Sequence, residues 1–154
     1  MSETNTATLL NELIQISEDG KIGYAGAGRS ATALELKALF ENRSSEYGMA
    51  ATELQGLVRS LGGIPKFSGT ISGAAHRGWS KIKSAVGDTN IALLEEAERV
   101  EDAAKAAYAK VLASTLSKQV RDVIQRQFDG AVRHHDRMRN LRNRYRAERE
   151  AIAE

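Results

Sequence analysis

Apolar residues recur at three- and four-residue steps along most of the chain, the spacing of helices that bury one face. Leu9, Leu13, Ile16, Gly20 and Tyr24 share a face, which predicts a first helix over residues 6–27. Gly26, Gly28 and Ser30 predict a short loop. Thr32 and Glu35 have the spacing of a capping box, whose hydroxyl and carboxylate satisfy the first free N–H groups of a helix. A second helix is predicted over residues 33–61, with Leu36, Leu39, Arg43, Glu46, Ala50, Leu54, Leu57 and Leu61 near one line. Gly62-Gly63 ends it, and Pro65 prevents its continuation.

Residues 64–89 form a long connection. Ile71, Ala75, Trp79, Ile82 and Val86 keep helical spacing within it, so a short amphipathic helix is expected, pinned by Trp79. The third helix, residues 90–113, carries Ile91, Leu94, Glu98, Glu101, Tyr108 and Leu112 on its stripe. After a turn at 114–117, the fourth carries Val120, Ile124, Gln127, Ala131, His134, Met138 and Leu141. Its charged tail, from Arg142 on, is expected to fray or project, with residues 1–5 and about 146–154 flexible. Two tight turns and one long connection between helices 2 and 3 describe a single all-α domain, a four-helix bundle with one crossover.

Composition narrows the function classes. The 154 residues suffice for a core, and the absence of Cys excludes disulfides and thiolate chemistry. With 22 basic and 20 acidic residues, the net charge of +2 does not by itself argue for nucleic acid or membrane. No apolar run approaches the ~18 residues of a membrane span. The polar start lacks the pattern of a signal peptide, so a cytoplasmic protein is expected.

Three polar residues fall on apolar stripes: Glu46, Glu101 and His134. A carboxylate or imidazole in a core needs a partner. Arg43 stands three residues before Glu46, and Lys105 four after Glu101, spacings that suit intrahelical ion pairs. This is the favoured reading. The alternative is a metal site, iron or manganese, built from Glu46, Glu101 and His134 with help from Glu98.

The chain resembles the small uncharacterised bacterial four-helix-bundle proteins of the ferritin-like superfamily, relatives in fold of rubrerythrin and bacterioferritin. The stretches that carry the resemblance are 10–14 leading to Glu18-Asp19-Gly20 and Gly23-Tyr24, Glu53 to Leu57 with Leu61-Gly62-Gly63, His76 to Trp79, and His135-Asp136-Arg137. It implies a ferritin-like fold and no assigned activity. Members of the superfamily often hold two irons with a Glu from each of two helices and Glu-x-x-His from each of the other two. Here Glu46, Glu101 and His134 match, but Ser17, Met49 and Ala131 stand at the other positions and cannot serve as hard ligands for iron. The expectation is therefore a non-catalytic bundle with a degenerate di-iron site and no cofactor, a stress-related scaffold or interaction protein.

Other signals are weaker. Gly23 to Gly28 lacks the order and the preceding strand of a phosphate loop. His134 and the adjacent His135 point about 100° apart, so one ion cannot easily use both. Seven arginines between Arg133 and Arg149 offer nucleic-acid association as a third alternative, against a solvated helix face broken by Asp136, Glu148 and Glu150. Ile14 and Ile22, off the main face of helix 1, suggest a second buried edge or a homo-oligomer contact, most simply a dimer.

Overall fold

A computed structural model describes residues 3–69, 78, 79, 82 and 88–153. Four helices carry the fold: α1 (Glu3–Ser30), α2 (Leu34–Ser60), α3 (Thr89–Leu112) and α4 (Lys118–Ala153). Among the described residues there is no strand, and no helix is long and apolar enough to cross a membrane.

α1 packs along α2 and α3 along α4, each pair joined by a short turn; α1 also touches α3. Cross-helix bonds fix the directions. Asn90 exchanges hydrogen bonds with Thr32 at one end, and Lys110 meets Glu12 at the other, so α3 runs antiparallel to α1. Arg126 pairs with Glu53, His134 with Glu46 and Arg144 with Glu35, so α4 runs antiparallel to α2. α2 and α3 are therefore parallel. The described residues of the connection between them follow α1: Asn11 bonds Ile64 and Lys66, Gly69 lies against Asp19, and Trp79 lies against Gly23 and Tyr24.

The expected crossover helix falls largely outside the described residues, with Ile71, Ala75, His76 and Val86. Gly78, Trp79 and Ile82 are helical, and Trp79 and Ile82 pack on the core.

Several boundaries differ from the sequence expectation. α1 continues through Gly26 and Gly28 to Ser30, because Lys37 Nζ caps the carbonyls of Gly28 and Arg29 at 3.2 and 3.4 Å. The capping box does not form: Ala33 is the N-cap without a side-chain bond, and Thr32 is engaged by Asn90 instead. α2 ends as expected at Gly62, whose φ of 77° places it in the left-handed region open to glycine. Asp88 caps α3 by accepting from the Ile91 N–H at 3.1 Å.

The tail of α4 is helical to Ala153 rather than unwound. Arg142, Arg144, Arg146 and Arg149 fasten it to Glu98, Glu35, Glu95 and Asp88. Ile14 is buried in the core and so forms the second inner edge of α1, while Ile22 is half exposed.

The apolar interior divides in two. One cluster gathers Leu10, Leu13, Ile14, Leu54, Val58, Tyr108 and Ile124. The other gathers Tyr24, Leu36, Phe40, Tyr47, Leu94 and Met138. On α1, α3 and α4 the break between them falls at polar residues, Ser17 to Asp19, Glu101 and His134; on α2 it follows Tyr47, one turn beyond Arg43 and next to Glu46.

Candidate functional site

That polar layer is the candidate site. Glu101 projects from the middle of α3 and is fully buried. Its Oε1 accepts from Arg43 Nη2 at 2.7 Å and from the Tyr47 hydroxyl at 2.7 Å. Its Oε2 accepts from Arg43 Nε at 2.8 Å and from the Tyr24 hydroxyl at 2.5 Å. A carboxylate offers about four lone-pair sites, and all are used. The Arg43 contact is the two-pronged geometry that makes guanidinium–carboxylate pairs strong.

Packing holds these donors in place. The Arg43 guanidinium carbon lies 4.0 Å from the centroid of the Tyr47 ring, which lies 5.9 Å from that of Tyr24. Gly20 makes room for this stack: a Cβ there would fall 2.8 Å from Tyr47 Cδ2. The face of α2 that turns inward runs Leu36, Phe40, Arg43, Tyr47, Ala51, Leu54 and Val58. It is rotated from the expected line, because Phe40, Tyr47 and Val58 offer more apolar area than Glu46, Ala50 and Leu61.

Glu46 therefore sits at the edge of the layer, its side chain 41% exposed. Its carboxylate lies 3.8 Å from Arg43 Nη1 and 3.3 Å from His134 Nε2. The structure thus joins the three stripe residues in one network, running from Tyr24 and Tyr47 through Glu101, Arg43 and Glu46 to His134. Arg43 bridges the two carboxylates. Lys105 is half-buried and has no ion-pair partner among the described residues; the cation on Glu101 comes from α2 across the bundle. The reason is depth: Glu101 is fully enclosed, and Lys105 keeps its ammonium at the boundary.

Burial and then the Glu101 charge push the hydroxyls of Tyr24 and Tyr47 well above the ordinary tyrosine range. Burial above all, with the Glu101 and Glu53 charges adding to it, raises Tyr108 to about 12. Burial opposes the charge on Arg43, but the hydrogen bonds to Glu101, the Glu101 charge and the two tyrosines together outweigh it, so the guanidinium is held charged. Burial, then the nearby Arg43 charge, lowers His134 below the usual imidazole value despite Glu46. His134 Nδ1 is buried with no hydrogen-bond partner among the described residues.

The two-iron group of the superfamily does not fit these residues. The lone pairs of Glu101 are taken by protein donors. Ser17 Oγ donates to the Leu13 carbonyl at 2.8 Å, Met49 is 65% exposed, and Ala131 has no donor atom. Among the described residues, no group of three or more His, Asp or Glu side chains is arranged to hold a metal ion. Glu98, considered as a helper, pairs with Arg142 and lies 3.8 Å from His135.

The arginine run is largely neutralised. Arg139 pairs with Asp136, and Arg142, Arg144, Arg146 and Arg149 pair with carboxylates of neighbouring helices or the α3 cap. Arg133 and Arg137 have no carboxylate within ion-pair distance among the described residues.

Sequence reasoning placed Arg43, Glu46, Glu101 and His134 at the centre but treated Tyr24 as core and gave Tyr47 no role. The available signal was Tyr47 standing four residues after Arg43, opposite a helix-interior glycine.

Among the described residues, fold and site define a strand-free protein carried by four long helices, with a buried ion network at mid-height. The chain belongs to the family described as Domain of unknown function (DUF2383), whose match covers residues 5–114, hence α1 to α3 and every member of the network except His134. No curated protein matches the chain.

Proposed function

We propose that this chain is a non-catalytic, ferritin-like bundle acting in the cytoplasm as a scaffold or interaction protein, with an arginine in place of the metal charge. The ferritin-like placement is supported by parallel α2 and α3 and by a connection whose described residues track α1. The stress association has the superfamily resemblance as its only support.

The observation that carries the proposal is the saturation of Glu101: four protein donors fill the carboxylate that would bridge metals. Glu101 is fully enclosed with its lone pairs taken, which suits a structural role better than chemistry on a substrate. The test is elemental analysis of protein purified without chelator, followed by titration with ferrous iron and manganese. The proposal expects no stoichiometric uptake. One or two ions per chain, lost in Glu46→Ala, would replace it with a metal protein using Glu46, Glu101 and His134.

A further inference from the structure

Between α2 and α4, beside the buried network, lies a cavity of about 420 Å³. Tyr47, Tyr108 and Arg43 form its floor, Met49 its rim, and Gly130 and Arg133 its α4 wall. The size is that of a small-molecule site.

Three features of this cavity are not explained by packing. Gly130 is buried in the interior of α4, where glycine is unfavourable. Yet a Cβ there would meet nothing nearer than Arg133 Nη2, at 3.7 Å. Helix contact does not require the glycine; its missing side chain leaves open wall. Arg133, three residues on, lacks an ion-pair partner among the described residues, while neighbouring Arg126 is held by Glu53. Arg43 commits Nε and Nη2 to Glu101, but Nη1 reaches only the Glu46 carboxylate, at 3.8 Å, beyond hydrogen-bond distance. The Arg43 side chain is only 7% exposed and lines the cavity, so the little of it that stays accessible faces that space.

We infer that this cavity binds a small organic monocarboxylate with a flat apolar body. The carboxylate takes the N–H groups of Arg133 and Arg43 Nη1. The body lies over Gly130, against Tyr47 and Tyr108, and covers the exposed thioether of Met49, a side chain suited to adaptable apolar contact. A single negative charge is selected because Glu46 and Glu53 also line the cavity. They repel a dianion, and Arg126 is already neutralised by Glu53. This goes beyond the scaffold reading: the bundle would sense or carry a ligand without transforming it.

Benzoate serves as the probe, titrated into the full ¹⁵N-labelled chain and followed by amide NMR shifts, with inorganic phosphate at equal ionic strength as the comparison. Saturable shifts at Tyr47, Met49, Gly130 and Arg133 are expected with benzoate and not with phosphate. Arg133→Gln should weaken the benzoate Kd by roughly tenfold or more. Gly130→Leu, which fills the cavity, should abolish binding. If Gly130→Leu fails to fold, Arg133→Gln, a change at an exposed position, decides alone. Absence of saturation, an unchanged Kd in Arg133→Gln, or phosphate binding at the same residues as tightly overturns the inference.

Discussion

Arg43 and Glu101 meet edge to edge across the centre of the bundle, with Nε and Nη2 of the guanidinium 2.8 and 2.7 Å from the two carboxylate oxygens. The pair joins α2 to α3, the two parallel helices, at the level where the apolar core divides. Such a pair need not add net stability over a well-packed apolar alternative, but losing one partner leaves a buried charge exposed to nothing. Glu101→Gln keeps the shape and removes the charge. It should destabilise the fold by roughly 3–5 kcal/mol, read from the midpoint of urea unfolding.

The tyrosines contribute separately. Tyr24→Phe and Tyr47→Phe each delete one hydrogen bond to a charged acceptor and should cost about 1.5–3 kcal/mol apiece. A cost near zero for both would mean that the hydroxyls are not directed at Glu101.

High pH tests the same residues. The folded pKa values of Tyr24 and Tyr47 lie well above 10.0, and Tyr108 and Tyr145 are each pushed up to about 12. The unfolded chain therefore releases tyrosine protons that the folded chain keeps. Stability from these groups is complete below pH 10 and falls as pH rises above it. Ultraviolet titration should find little tyrosinate in the folded protein between pH 10 and 11, while in denaturant the signal of the four tyrosines rises from about half to about nine-tenths of its full value.

His134 sets the acid side. Its folded pKa lies below the ordinary value of 6.5, so its contribution is present above that value and is lost as pH falls through the folded pKa. Arg43, Glu46 and Glu101 all act on it, and the burial and Arg43 effects prevail. An NMR titration of the three histidines should show His134 with a midpoint below 6.5. A midpoint above that value would mean that Glu46 dominates instead.

Most of the architecture was legible in the sequence because long helices repeat their apolar spacing many times. The four helices, the glycine stop at Gly62 and the centrality of Arg43, Glu101 and His134 follow from that repetition. What was not legible depended on helix rotation and on contacts distant in sequence. A slight turn of α2 moves Glu46 to the rim and brings Tyr47 inward, and local spacing cannot separate two overlapping stripes that share Leu36, Arg43 and Leu54. The partner of Glu101 stands on α2, far away in the chain, whereas spacing within α3 could point only to Lys105. The helical tail of α4 was hidden for the same reason: its arginines are satisfied by Glu35, Glu95, Glu98 and Asp88, on or beside other helices.

Those tail contacts are partly exposed and so respond to salt. Ion pairs so placed hold weakly, and screening by salt weakens them further. Amide hydrogen exchange over residues 142–153 should accelerate as salt is raised, with α1 to α3 unaffected. Exchange in that stretch that ignores salt would mean that Leu141 and Tyr145, not the arginines, hold it.

A double-mutant cycle on Arg43→Met and Glu101→Gln, read by urea unfolding, tests the central claim most directly. The account predicts that the two losses overlap, with a coupling energy of roughly 2–5 kcal/mol, as expected for a close charge pair out of water. Strictly additive losses would contradict it, because the buried carboxylate would then have some other partner.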